Sequence, residues 1–280
     1  MTLIHEAWRV VWGDRGGRVG ALILAALLLV ATVAPPFLPD WRAMPDLGRV
    51  SLQPPGPGHW LGTDRDNRDV LSRVVRGARV SLAVAAGAVA LSVTVGALVG
   101  MLAGYAGGLV DSLLMRLVDS ALAVPRLFLL LIMVAIMERI PLPVLIVVLG
   151  VTGWFGTSRL VRAEVQRLRT LDFVRAAEAL GANRRRIALR HLLPNVAGPL
   201  AAATTLAVGD VILLEAGLSF LGLGVQPPTP SWGGMILEAQ PYLATAPWTS
   251  LAPGIAVVLT VLAVNLVGEA LHQGYSTGPA

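Results

Sequence analysis

Six apolar runs, each long enough for a helix to cross a bilayer, divide this chain of 280 residues and restrict it to one broad kind of fold. They cover Val19 to Leu38, Val80 to Tyr105, Leu113 to Ile140, Val144 to Leu160, Val196 to Leu223 and Leu251 to Leu271. The expected fold class is an all-α membrane protein with six transmembrane helices. Composition agrees, since 55% of residues are hydrophobic, 14% are charged and the mean hydropathy is +0.71. Little polar mass is left outside the bilayer.

Two missing residue types narrow the chemistry. There is no cysteine, so disulfides and thiolate metal sites are excluded. There is no lysine either, and all 22 basic residues are arginine. A phosphate-binding loop of the form G-x-x-x-x-G-K-[ST] therefore cannot be written, and the chain lacks the usual machinery for hydrolysing ATP. H-E-x-x-H, G-x-S-x-G and a G-x-G-D around Asp210 are also absent, which removes zinc, serine and aspartyl intramembrane proteases. The scattered His5, His59, His191 and His272 make no metal site. The net charge of +5 and pI of about 10.8 fit arginine gathered on the cytoplasmic side better than nucleic-acid binding.

Arg9, Arg15 and Arg18 precede the first run and should hold the N-terminus inside. A cleaved signal peptide is the competing reading of this run. It is longer than a signal core, with Pro35 and Pro36 just after its alanines, so an uncleaved span is expected. Residues 39–79 then form an extracytoplasmic segment, too short and too poor in core residues to be a domain. Asp64, Asp66, Asn67 and Asp69 resemble a calcium loop, but the glycine and terminal glutamate of an EF-hand are missing. Turn caps and Asp-Arg pairs are the plainer expectation. The arginine excess there runs against the positive-inside rule.

In the second run, Ser92, Gly96, Gly100, Gly104 and Gly108 recur every four residues and predict a close helix contact. Gly107 to Arg116 is read as a short cytoplasmic connection. The third run is interrupted by Asp119 and Pro125, with Asp119 expected to be solvated or paired with Arg116. Glu138 and Arg139 mark the far interface, and Trp154 and Phe155 the inner end of the fourth run.

The polar island Asp172 to Asn195 reads as a helix, a turn and a helix. Phe173 to Leu180 is rich in helix formers, Gly181 suits a left-handed C-terminus, and Asn183 caps a second helix, Arg184 to Leu193. Pro194 opens the next apolar run. The same pattern describes a DNA-binding helix-turn-helix, with Asn183 to His191 as its recognition helix. Apolar flanks of bilayer length argue against that role. Arg159 to Arg190 holds nine arginines against Glu164, Asp172 and Glu178, so the loop should face the cytoplasm.

The fifth run carries Asp210 and Glu215, which should face the bundle interior or a wet path. Helix capping and interhelical hydrogen bonding are equally consistent with them. A turn rich in glycine and proline, Leu221 to Pro228, follows, and the sixth run ends near Glu269 and His272.

Three of these stretches together resemble a known family. His59-Trp60-Leu61-Gly62-Thr63-Asp64 with Arg68 to Arg73, the island with Arg175, Ala176, Ala177, Gly181, Leu193 and Pro194, and Glu215 to Pro228 continuing to Ser231-Trp232-Gly233 are similar to the C-type inner-membrane permeases of dipeptide, oligopeptide and nickel ABC importers. The island resembles their EAA loop, with Arg175 in place of the usual glutamate and Glu178 one turn on. Asn67 stands where the family usually has glycine, and asparagine also tolerates a left-handed turn.

The resemblance implies a type I importer permease. Its core is residues 80–273, its cytoplasmic loop 161–195 and its tail 274–280, after an N-terminus of 1–18 and a first span of 19–38. Both termini are expected in the cytoplasm and the chain in the inner membrane of a bacterium. The implied partners are a second permease, two ATPase subunits that hold ATP and Mg, an extracytoplasmic binding protein and membrane lipid, with no nucleic acid and no cofactor on this chain. The implied role is translocation of di- or oligopeptides by alternating access. Nickel chelates and glutathione are the alternatives within the family, and a membrane-tethered DNA regulator the alternative outside it. The coupling residues would be Arg175, Ala176, Ala177, Glu178, Leu180, Gly181, Ala182, Arg186, Ile187 and Pro194. The candidate path residues are Asp210, Glu215, Ser219, Gly222 and Gly224.

Overall fold

The computed structural model describes residues 3–42, 51–137 and 140–276. Its longest helices are α3 (Val70–Ala106), α10 (Leu193–Phe220) and α12 (Trp248–Ser276). α3 begins well before the expected Val80, because Asp69 caps it by accepting the Ser72 N–H at 2.7 Å. It ends at Gly107 and Gly108, whose φ values of 66° and 55° turn the chain straight into α4 (Gly108–Leu122). The connection expected over Gly107 to Arg116 is thus a two-glycine turn.

The third crossing departs from the single span expected. α4 and α5 (Arg126–Ala135) are separate helices, since Pro125 has no N–H to donate and keeps the preceding residue out of helical geometry. Five helical segments among the described residues are long and apolar enough to cross a membrane: Arg15–Val33, Val70–Ala106, Leu142–Arg169, Arg184–Phe220 and Trp248–Tyr275. With α4–α5 they make six crossings. Glu138 and Arg139 lie outside the described residues. Asp119, expected to be solvated or paired with Arg116, is exposed and meets the equally exposed Arg159 at 3.7 Å.

α1 (Leu3–Gly13) lies beside α12, and α2 (Arg15–Val33) makes the first crossing. α2 starts as a capped helix at Asp14 and ends at Val33, followed by a single turn over Pro35–Phe37, so the first span begins and ends a few residues before Val19 to Leu38. The fourth crossing is α6 (Leu142–Val151) and α7 (Trp154–Arg169), joined with a break at Thr152 and Gly153. α7 extends past Leu160 to Arg169 because its outer half, though polar, continues to pack Val161, Val165 and Leu168 inward.

The bundle has two distinguishable ends. Residues 51–69 and α11 (Trp232–Ala239) lie at the start of α3, which we term the cap end. Arg169 reaches the far end of α3, donating to Gly104 O and Tyr105 O at 3.3 and 3.0 Å, so the arginine-rich helices define the loop end. Trp248 Nε1 donates to Thr63 O at 3.3 Å, fixing the start of α12 at the cap end. Val11 of α1 packs with Leu271 of α12, so the first and last described helical ends share the loop end.

The core sits between α3, α6 and α10, where Val84, Ala88, Leu145, Leu149, Ile212 and Leu218 are buried together. The small-residue stripe of α3 faces α7. A Cβ on Gly96 would lie 2.6 Å from Thr157 Cβ, one on Gly104 would lie 2.8 Å from the Arg162 carbonyl oxygen, and one on Gly100 would overlap the carbonyl oxygen of Ser158. Ser92 continues the line, against Gly153. Gly108 leaves it, because it already belongs to the turn and has nothing near its Cβ position.

Gly100→Ala should therefore lower the stability of the detergent-solubilised protein by about 1–3 kcal/mol through overpacking against backbone. Gly254→Ala, in an open position on α12, should be neutral or slightly stabilising. Equal thermal melting of the two variants would contradict the close α3–α7 contact.

Candidate functional site

At the loop end, α7 hands over to α8 (Asp172–Ala179), a turn, and α9 (Arg184–Ile187). The turn is a Schellman closure. Gly181 has φ 79°, its N–H donates to Glu178 O at 2.9 Å, and the Ala182 N–H donates to Ala177 O at 3.0 Å. No atom lies within 4 Å of a Cβ built on Gly181, so glycine is needed there for its backbone rather than for space. Asn183 caps α9 as expected, its Oδ1 accepting the Arg186 N–H at 2.8 Å.

The second helix does not stop at Leu193. A π-helical turn, Ala188–Leu192, carries α9 directly into α10, with Pro194 in the first turn of that helix. Buried Val174, Ile187, Leu192 and Val196 form one apolar cluster with Val161, Val165 and Leu168 of α7, and Ala182 packs beside it. α8 and α9 are thereby fastened to two crossings at once.

What remains exposed is the opposite face. Arg175, Ala176, Glu178, Gly181, Arg186 and Pro194 face outward, Ala177 is half-buried, and Leu180 is 88% exposed. Ile187 is buried. The exposed face thus sets small or apolar Ala176, Leu180 and Gly181 among the charges of Arg175, Glu178, Arg184, Arg185, Arg186 and Arg190.

Towards the cap end, Glu215 sits in a closed polar knot and is 1% exposed. Ser81 Oγ donates to Glu215 Oε2 at 3.0 Å, and Ser219 Oγ donates to Oε1 at 2.8 Å. Each hydroxyl also accepts a backbone N–H, Ser81 from Trp232 at 3.3 Å and Ser219 from Val225 at 3.2 Å. The knot ties α10 to α3 and α11, and Glu215 and Ser219 present no surface to a lumen in this conformation. α10 itself ends in a second Schellman closure at Gly222, φ 79°, with Leu223 N–H donating to Leu218 O at 2.8 Å. Gly222 is exposed, whereas Gly224 is buried so closely against Ser219 that a Cβ would strike it. Asp210 lies exposed on α10.

The cap end holds an ion cluster of which the sequence displayed only half. Arg73, 2% exposed, donates to Asp64 and, at 2.8 Å, to Glu238 Oε2. Arg68 donates to Asp64 Oδ2 at 2.7 Å, to Asp66 at 2.7 Å and to Glu238 at 3.0 Å. His59 Nδ1 meets Asp69 Oδ2 at 2.9 Å, and Asn67 has φ 58°, the left-handed conformation expected of it. These are the Asp-Arg pairs anticipated for residues 64–73. Glu238, about 170 residues away along the chain, had no local signal. Asp111 with Arg162 and Gln166, which clamps α4 to α7, was missed for the same reason. Among the described residues no three side chains gather as metal ligands.

These features define a class before they define a family: a multi-pass helical membrane protein with a firmly anchored, exposed pair of short helices at one end and an ion-paired cap at the other. Residues 96–277 match the family of binding-protein-dependent transport system inner membrane components, and the chain belongs to it as a permease subunit of ABC importers. The chain is 34% identical over 273 residues to the oligopeptide transport system permease protein OppC of Haemophilus influenzae, covering 97% of this chain and 88% of that one. It is 37% identical over 269 residues to the dipeptide transport system permease protein DppC of Alkalihalophilus pseudofirmus, covering 96% and 88%. The Bacillus subtilis DppC is 35% identical over 274 residues, covering 98% and 85%. The chain is thus a multi-pass inner-membrane protein and one component of a larger transport system.

Asp64→Ala should strip Arg73 of its nearest carboxylate and cost about 3 kcal/mol, since it leaves a buried charge short of a partner. The measurable consequence is faster proteolysis within residues 51–69 of the purified protein. Unchanged protease resistance would show that the cluster does not hold the cap.

Proposed function

We propose that this chain is the permease through which an ATP-driven importer passes di- or oligopeptides, working with a second permease, two ATPase subunits and an extracytoplasmic binding protein. The names of its relatives support the substrate class. The coupling role rests on one observation: the exposed face of α8 and α9 is anchored through a single apolar cluster to both α7 and α10. A push on that face is delivered to two crossings together.

The loop end, with both described termini, is assigned to the cytoplasm by its arginine excess. ATP and Mg belong to the partner ATPases, because a chain without lysine has no phosphate-binding loop. Ala176, Ala177, Glu178, Leu180 and Gly181 would seat in the ATPase surface, with Arg175, Ala182, Arg186, Ile187 and Pro194 shaping the same unit. Closure of the ATPases moves this unit as a rigid body and tilts α7 and α10, alternating access to the path. The second permease is assigned to the lipid-length face of α4–α5, where Leu113, Leu117, Phe128 and Ile132 are exposed. In this reading Asp210 and Gly222 line the path in the conformation described, while Glu215, Ser219 and Gly224 hold its wall.

Gly181→Trp and Ala177→Glu should leave the chain in the membrane yet abolish both peptide uptake and copurification of the ATPase subunits. Normal uptake by both variants would overturn the coupling assignment.

A further inference from the structure

A positive charge lies inside the third crossing, and no sequence motif drew attention to it. Arg126 follows Pro125 and opens α5, half-buried against the break between α6 and α7. Its Nη2 donates to Leu149 O at 2.8 Å and its Nε to Thr152 Oγ1 at 3.4 Å. The Thr152 hydroxyl proton is already directed to Val148 O at 2.9 Å, so Thr152 receives the guanidinium rather than competing with it. The seat exists because residue 153 is glycine: a Cβ there would stand 2.9 Å from Arg126 Nη2 and 2.8 Å from Ser92 Oγ.

A guanidinium has five N–H donors, and these two contacts leave a fork unused. Among the described residues no carboxylate forms an ion pair with Arg126 within 4.0 Å. An acid on another crossing, Asp210 of α10, is exposed. Counted from the loop end at 1.5 Å per residue, both lie roughly 25 Å along their crossings, at matching depth. Charges at such depth are costly in lipid and belong on a wet path or against a partner charge.

We infer that Arg126, seated in the notch over Gly153, is a carboxylate-binding site of the translocation path, with Asp210 as the counter-charge that balances it between passages. The ligand class is a peptide carboxylate, which fits the unused guanidinium fork in a bidentate pair while Asp210 becomes free to meet the ammonium end. This rests on the peptide-import reading above. A merely structural Arg126, fastening the break between α6 and α7, would act alike on every substrate.

The test uses the complete importer in proteoliposomes, with trialanine and trialanine amide as the two substrates, each rate expressed relative to wild type. Arg126→Gln should lower trialanine uptake by about tenfold or more, the loss of one charged hydrogen-bonding partner. Amide uptake should change by less than about twofold, and the subunits should still copurify. Adding Asp210→Asn should not restore trialanine uptake. Equal losses for both substrates, or recovery in the double variant, would mark the pair as structural and overturn the inference. If Arg126→Gln does not assemble, Arg126→Lys keeps the charge without the fork and should show an intermediate loss for trialanine alone; full uptake through it would equally overturn the site. A wild-type importer that carries neither peptide would remove the peptide reading and this inference with it. Wild-type uptake with unselective variants removes the inference alone.

Discussion

The backbone approach of α3 and α7 across Gly96, Gly100 and Gly104 is the contact on which the rest of the molecule depends. Lipid tails are as apolar as leucine, so crossings associate through close packing rather than through a hydrophobic drive, and glycine allows the closest packing. That contact places the end of α7 against the end of α3, where Arg169 binds the last carbonyls of α3 and stacks 5.2 Å from the Tyr105 ring. Everything beyond Arg169, including the exposed helices of the loop end, hangs from this pairing. At the opposite end the same helix α3 carries Arg73 and Ser81, which fasten the cap and the Glu215 knot.

α10 is the second consequence. It is tied at its cap end by Glu215, which accepts from Ser81 of α3, and at its loop end it is continuous with α9 through a π-helical turn. Wider turns of this kind are uncommon and concentrate at functional places in helices. Here the turn carries α9 into the crossing without a loop between them. A helix held firmly at one end and pushed at the other is suited to tilt, which is the motion our reading asks of it.

The sequence displayed most of what depends on single residues with special backbone or cap chemistry. Gly181, Asn183 and Asn67 occupy the conformations expected of them because left-handed backbone and N-caps are local properties. The four-residue spacing on α3 announced its contact for the same reason, although Gly108 proved to be part of a turn. Long-range pairs were not legible. Glu238 and Arg162 look like ordinary charges until the fold brings them to Arg73 and Asp111. The division of the third crossing was only half legible: Pro125 signalled it, but the apolar length of Leu113 to Ile140 read as one span. Arg126 was overlooked because a charge just after a proline resembles a helix start, and the notch at Gly153 that receives it lies on another crossing.

The claim that α9 and α10 move as one body is open to a direct distance measurement by electron–electron resonance on the complete importer. Spin labels at exposed Arg185 and Leu213 should keep one distance with and without ATP, while the distance from Arg185 to Leu117 on α4 changes. A change between Arg185 and Leu213, with Arg185 to Leu117 constant, would mean that the π-helical turn bends and that the push at the loop end never reaches the crossing.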